Sequence, residues 1–298
     1  MLSPAVAREL EQALGARYGA VSVLDAAPVG GGCISTTLRV RLQGAPAVFL
    51  KLAAEEPPGP ALLKAEAAAL DALGAVGEVR VPAVLALGSG WLALEWLEPG
   101  PASGQAWERL GAGLARLHRR GGAAAAAWGW TSDNFIGSLP QANAPGADWP
   151  AFWRERRLEP QLALARRAGL IGNAEVAAFE PLFRRLPELL RTGQEEGPSL
   201  VHGDLWSGNV LMKADGEPAI VDPAAYYGHR EVDLAMAALF GGFHPAFYRA
   251  YAAEWPLVNE GLERRRSIYQ LYYLLVHVNL FGRGYLAGTM DALARALD

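Results

Sequence analysis

The sequence has one cysteine, Cys33, among 298 residues. An intrachain disulfide is therefore excluded, and the cytoplasm is the expected compartment. No run of about 18 uncharged apolar residues occurs, so no membrane span is expected. The opening stretch, "MLSPAVARELEQALGARYGA", is an amphipathic helical pattern with acids and lacks the basic-then-apolar order of a secretory signal. Positive charge is not in excess. The 27 Lys and Arg face 31 Asp and Glu, and the net charge of −4 argues against a nucleic-acid binder held by phosphate contacts. No fixed-period repeat is visible. What is abundant is apolar side chain, 51% of residues against 19% charged, which suits two small domains or one two-lobed unit with an ample core.

The pattern changes character once along the chain. After a helix over residues 1–18, "AVSVLDAAPV", "STTLRVRL" and "AVFLKL" read as three strands, the last two β-branched or alternating. "PGPALLKAEAAALDALGAVG", with prolines before it and a glycine-bearing end, reads as a helix. "PAVLALGSGWLALEWLEPG" reads as two strands about a Gly-Ser-Gly turn. The order is thus β-β-β-α-β-β, an antiparallel β lobe with one helix over residues 1–96. Residues 97–298 form the larger, α-rich lobe, with a hinge near 95–100. In that lobe "WGWTSDNFIGSLPQANAPGADWP" reads as a loop. "AFWRERRLEPQLALARRAG" and "NAEVAAFEPLFRRLPELLRTG" each read as a helix, "PAIVDPAAYYGH" as a short β segment, and "EVDLAMAALF", "HPAFYRAYAAEW" and 261–296 as helical.

The stretch "VHGDLWSGNVLM" (201–212) carries the strongest chemical signal. His202, Asp204 and Asn209 match the spacing H-x-D-x-x-x-x-N of a phosphotransferase catalytic loop. Asp204 then accepts the proton of an acceptor hydroxyl and Asn209 holds a metal ion. Asp222, in "AIVDPA" at the end of an apolar strand, suits the second metal position. Phosphoryl transfer also needs a phosphate cover and a cationic anchor. The glycine loop Gly30, Gly31, Gly32, Cys33, Ile34 and Ser35 lies between two strands. It matches neither the Walker loop nor the dinucleotide fingerprint, yet its backbone N–H groups can approach phosphate oxygens. Lys51 ends the third strand. Glu66 sits on the leucine row of the next helix and needs a cation, which Lys51 supplies. Taken singly, each residue has a bland reading as a turn, cap or solvated side chain. The set, in this order, does not.

The motifs "GGGCIS", "HGDLWSGNV", "DPAAYYGHREVDLAM", "FGGF", "IGSLPQAN" and "DWPAFWRERRLEPQL" resemble the fructosamine kinase (ketosamine-3-kinase) family, in the aminoglycoside-phosphotransferase-like branch of the protein-kinase fold. They span residues 29–243, and "YQLYYLLVHVNLFGRGY" extends the match almost to the end. The resemblance implies an α+β, two-lobed protein-kinase-like fold. It implies ATP and Mg2+ as cofactors and ketosamines, free or protein-bound, as substrates. These are phosphorylated on the 3-hydroxyl, after which the adduct falls apart and releases the amine. Asp204 would be the base, Asn209 and Asp222 the Mg2+ ligands, and Lys51 with Glu66 the phosphate anchor. The backbone at Glu95, Trp96 and Leu97 would hold adenine. "DPA" replaces the familiar "DFG", so a phenylalanine flip is not available as a switch. Trp206 reads either as core or as a face that stacks on the sugar or meets its amine. His229 and Glu231 read either as cleft-lining substrate residues or as capping and core residues. His118, His244 and His277 read as structural. One departure stands out: "APGAD" intervenes between "PQAN" and Trp149, which bears on the acceptor end.

Two rival readings remain. One is a kinase for another hydroxyl compound (an aminoglycoside, choline or a sugar). The other is a nucleotide-binding regulator without catalysis, which the complete set of five residues disfavours. Cys33 reads either as a small residue that packs well or, since some members resembling this chain join two protomers through the cysteine at this position, as a redox site, so the expected state is a monomer or a redox-dependent homodimer. Oxidant should then produce a reducible dimer of lower activity on a non-reducing gel and in assay. A Cys33→Ser protein that dimerises and loses activity equally would refute this.

Overall fold

The structure, a computed structural model, describes residues 2–30 and 35–298. Gly31, Gly32, Cys33 and Ile34, and with them the expected phosphate-loop contacts and the expected dimer contact, lie outside the described residues.

Helix α1 (Pro4–Tyr18) starts where Ser3 Oγ accepts from the Val6 N–H and Pro4 occupies the first turn, a position that needs no donor. Then come β1 (Ser22–Pro28), β2 (Thr36–Gln43), β3 (Val48–Leu52), α2 (Gly59–Val76), β4 (Val84–Leu87) and β5 (Trp91–Glu95). The strands form one antiparallel sheet in the order β1-β2-β3-β5-β4. Strand alternation gives the sheet two apolar faces. Leu38, Val40, Val48 and Leu50 pack under Leu10 and Leu14 of α1. Leu92 and Leu94 face the other way, toward Leu63, Leu70 and Leu73 of α2. Burying each such leucine is worth roughly 1.5–3 kcal/mol. Lys51 follows Leu50 on β3, so it points to the α2 side.

The second lobe begins with α3 (Gly104–Gly122), capped by Ser103 Oγ, which accepts from the Ala106 N–H at 3.1 Å. Strands β6 (Asn134–Ile136) and β7 (Leu139–Gln141) follow as a hairpin. Helix α4 (Trp149–Trp153) runs through a π-helical turn (Arg154–Leu158) into α5 (Glu159–Arg167). Next are α6 (Asn173–Ala178), α7 (Glu180–Leu189), α8 (Arg191–Glu196), β8 (Ser199–Val201), β9 (Val210–Met212), β10 (Pro218–Ile220) and β11 (Tyr226–Gly228). Helices α9 (Glu231–Leu239), α10 (Pro245–Glu254), α11 (Leu262–Phe281) and α12 (Leu286–Leu297) complete the chain. The lobes share apolar packing: Leu63, Leu70 and Val79 meet Leu110 and Leu114 of α3 and Phe247 of α10 in one buried cluster. The hinge is pinned as well. The Gly100 N–H donates to the Met212 carbonyl at 2.7 Å, and the Ala214 N–H to the Glu98 carbonyl at 2.8 Å.

The structure departs from the expected elements in four places. The expected loop after α3 contains the β6–β7 hairpin, whose three-residue strands are too short to show a period. The helix over 151–169 is π-helical in the middle, because Pro160 has no N–H for the Arg156 carbonyl and the Glu159 N–H reaches back to Arg154 instead. The helix over 173–193 is three pieces, broken before Pro181 and at Leu190. The final helical stretch breaks at Gly282, whose φ is 89°.

One ion cluster ties α8 to the start of α9. Glu196 accepts from Arg230 Nε at 2.7 Å, Arg230 Nη2 at 2.7 Å and His229 Nε2 at 2.9 Å. Burial alone would push the Glu196 carboxyl up, but the bonds from Arg230 and His229 outweigh it and hold it at about 2. A depressed carboxylate stabilises the fold above its unfolded value and loses that stabilisation as pH falls toward the folded value. Stability should therefore drop between about pH 4.5 and about pH 2. Glu196→Gln should flatten that drop in acid denaturation, and should lower the unfolding free energy at pH 7 by roughly 2 kcal/mol, allowing for solvent screening.

Candidate active site

Two short antiparallel ribbons present the chemistry. β8 pairs with β11 and β9 with β10. The loop 202–209 leaves β8, and the loop 221–225 leaves β10, so both emerge on one side of the lobe. Gly203 must be glycine: its φ is 81°, and a Cβ there would collide with the Ala224 carbonyl. Asn209 Nδ2 donates to the Asp204 carbonyl at 2.8 Å and lies 3.3 Å from Asp204 Oδ2, which holds the carboxamide beside the carboxylate. Burial first, then the charge of Asp222, pushes the Asp204 carboxyl up to about 7, the property of a group that takes up a proton near neutral pH.

Lys51 stands opposite. Its Nζ lies 2.7 Å from Glu66 Oε1 and 2.7 Å from Asp222 Oδ1. Burial alone would lower Lys51, but the charges of Glu66 and Asp222 outweigh it and keep the ammonium protonated. Glu66 is pushed up to about 7, since burial and the charge of Asp222 exceed the pull of Lys51. Asp222 is half-exposed and has φ 55°, the sole non-glycine positive φ among the described residues. Five expected residues thus converge from β3, α2 and the two loops.

These residues line a cleft of 860 Å³ between the lobes. Gly30 and Ser35 border it on the sheet side, where they flank the undescribed 31–34. Glu95, Trp96 and Leu97 form the hinge wall. The Glu95 carboxylate is paired with Arg80 and accepts from the Ala83 N–H, and the Glu95 N–H donates to the Ala83 carbonyl at 2.9 Å. Trp96 is held in place by Arg39, 4.5 Å above its ring, and by a bond from Nε1 to Glu98 at 2.7 Å. Trp206 is at the rim, 40% exposed, and its indole folds over Gly208, where a Cβ would clash.

Two expectations fail. His229 is fully buried, bonded to Tyr269 Oη at 2.8 Å and to Glu196, and does not line the cleft. Glu231 is buried in a two-pronged ion pair with Arg265 at 2.8 Å and does not line it either. Their packing and core bonds replace the substrate role. Trp149, which follows the "APGAD" stretch, is core: it is fully buried and its Nε1 donates to Tyr269 Oη at 3.0 Å.

Other residues contribute without having been singled out. Asp233, in "EVDLAM", accepts from the His202 and Gly203 N–H groups at 2.7 and 2.9 Å and from His118 at 3.0 Å, so it fixes the loop that carries Asp204. Its signal in the sequence is an acid in a stretch, Val232 to Leu239, that is otherwise apolar, a placement that demands buried partners. His202 Nδ1 accepts from the Asp204 N–H and Nε2 faces the Val221 carbonyl, which fixes the neutral Nε2–H tautomer. At the acceptor end, Phe240, His277, Phe281 and Tyr285 form an aromatic ledge with rings 4.6–6.0 Å apart. His277, expected to be purely structural, lines the cleft.

The donor set tests the fit to a divalent metal. One carboxylate, Asp222, and one carboxamide, Asn209, offer hard oxygens. Among the described residues there is no group of three or more His, Cys, Asp or Glu able to hold a metal. So sparse a set fits a cation that takes its remaining ligands from phosphates and water.

Comparison with known proteins places this geometry. The fructosamine kinase family matches residues 2–298. A Synechocystis protein named "Probable ketoamine kinase" is 40% identical over 98% of this chain and 96% of its own. A chloroplastic protein-ribulosamine 3-kinase of Arabidopsis thaliana is 36% identical over 92% of this chain and 83% of its own. A solved structure from Thermobifida fusca, carrying a fructosamine-3-kinase designation, is 37% identical over 97% of this chain and 98% of its own, with TM-score 0.86. A macrolide 2'-phosphotransferase, 17% identical with TM-score 0.60 over 99% of this chain and 96% of its own, shares the two-lobed protein-kinase-like fold. Matched from residue 2 to residue 298, the chain belongs to the fructosamine kinase family.

Proposed function

We propose that this protein transfers the γ-phosphoryl group of ATP to the 3-hydroxyl of a ketosamine, a sugar joined to an amine by glycation, as a deglycation step in the cytoplasm. Family membership implies ATP and a divalent metal, and the metal is Mg2+ on this reading. The observation that carries the reading is the convergence of Lys51, Glu66, Asp204, Asn209 and Asp222 in one interlobe cleft.

Residues 1–96 hold the nucleotide, with adenine against the backbone of residues 95–97 and the α- and β-phosphates on Lys51. Residues 97–298 hold the acceptor. Asn209 and Asp222 hold the Mg2+, which supplies charge neutralisation at the transferring phosphate. Asp204 aligns the acceptor hydroxyl and takes its proton. As the hydroxyl oxygen forms its bond to the γ-phosphorus, the bond to the β–γ bridging oxygen breaks and ADP leaves. Positioning and electrostatics are the protein's contribution.

The acceptor end supports a glycated amine over a polycation. Trp206, Phe240, Phe281 and Tyr285 line it, and the carboxylates in the cleft are Glu66, Glu95, Asp204 and Asp222, all on the nucleotide or transfer side. Aromatic faces suit a sugar and a single ammonium.

ATP consumption with synthetic ribulosyl- and fructosyl-lysine tests the reading. Turnover with either supports it; turnover with an aminoglycoside but no ketosamine overturns it. Asp204→Ala should cut transfer by at least about a thousandfold, within the range of general-base and positioning losses combined. ATP affinity by calorimetry should change less than about twofold. A matching loss of ATP affinity would contradict the assignment of Asp204 to the acceptor.

A further inference from the structure

Asp222 holds a backbone conformation that L-residues rarely adopt, at φ 55°. Such strain costs on the order of 1–3 kcal/mol and persists only where the surroundings over-determine it. No phenylalanine follows Asp222 to anchor the loop, since the next residues are Pro223 and Ala224. The Ala224 N–H donates to the His202 carbonyl at 2.9 Å, and the β6–β7 hairpin adds a side-chain restraint. Asn134 Nδ2 donates to the Ala225 carbonyl at 2.9 Å, and Gln141 Nε2 to the Ala224 carbonyl at 3.2 Å.

Both amides are in turn held. Gln141 Nε2 and Asn143 Nδ2 donate to Asn134 Oδ1 at 2.8 and 2.7 Å, and Tyr272 Oη donates to Gln141 Oε1 at 2.7 Å. Arg157 Nη2 donates to Asn143 Oδ1 at 2.7 Å. Arg157 is fully buried, with its guanidinium 4.0 Å from the Tyr226 ring centre and its Nη1 donating to the Ala142 carbonyl at 2.5 Å. It sits in the π-helical turn, the kind of local widening that re-aims a side chain. A buried charge demands such partners, and through them the hairpin and the π-helical turn form one hydrogen-bonded unit. The hairpin also packs against α2, the helix that carries Glu66.

We propose that Asn134 and Gln141 are positioning residues that clamp the 222–225 loop and thereby hold Asp222 in its metal-binding conformation, in place of the absent phenylalanine. The proposal rests on the reading of Asp222 as a metal ligand.

Mn2+ binding to the ADP complex, read from the electron paramagnetic resonance of free Mn2+, tests it without reference to turnover. Asn134→Ala and Gln141→Ala should each weaken Mn2+ binding about tenfold, while the ADP dissociation constant in EDTA changes less than about twofold. Tyr272→Phe, which removes only the bond to Gln141 Oε1, should weaken it about threefold and decides the matter if the truncations do not fold. Mn2+ affinity within twofold of the parent in the folded variants overturns the clamp, as does an equal loss of ADP affinity in EDTA. Asp222→Asn separates the two layers. If it leaves Mn2+ binding intact, the ligand reading fails; if it abolishes binding while the clamp variants bind normally, only the clamp fails.

Discussion

One buried ammonium organises this molecule. Lys51 lies at the end of a central strand, with Glu66 on one side and Asp222 on the other, each 2.7 Å away. Glu66 comes from the one helix of the β lobe and Asp222 from a loop of the helical lobe, so a single cation joins both halves across the cleft. Low local dielectric makes the arrangement strong while it is complete and costly when a partner is missing.

The rest of the fold serves to hold the ends of that bridge. The sheet is buried on both faces, so β3 cannot shift without disturbing α1 or α2. The catalytic loop hangs from Asp233, whose carboxylate receives two backbone N–H groups and a buried histidine. The opposing loop is met by the hairpin and its amides. The apolar cluster that runs from α2 through α3 to α10 makes the two lobes mechanically continuous behind the cleft, while the front stays open for a ligand.

Much of this was legible in the sequence, for a local reason. Asp204 and Asn209 sit five residues apart in a loop between short strands, and the loop's geometry follows from that spacing. Lys51 and Glu66 lie on consecutive elements and need each other electrostatically. The β-β-β-α-β-β order of the first lobe follows from strong alternation and clear turns. What failed depends on long-range packing. His229 and Glu231 follow the 221–225 loop closely, yet β11 carries them away from the cleft and into ion pairs with Glu196 and Arg265. The β6–β7 hairpin was missed because three-residue strands have no measurable period. The aromatic ledge gathers Phe240, His277, Phe281 and Tyr285 from α9, α11 and the turn after it, and no local pattern announces such a meeting.

The central claim is that the Lys51 bridge and Asp204 together direct a phosphoryl group onto a sugar hydroxyl rather than onto water. Phosphorus–proton correlation NMR of the products from ATP and a ribulosyl-amine tests it directly. ADP and a phosphate ester on the 3-hydroxyl are expected from the parent protein, with almost none from Lys51→Met. Inorganic phosphate as the sole phosphorus product beside ADP, or ester formed by Lys51→Met at the parent rate, would contradict it.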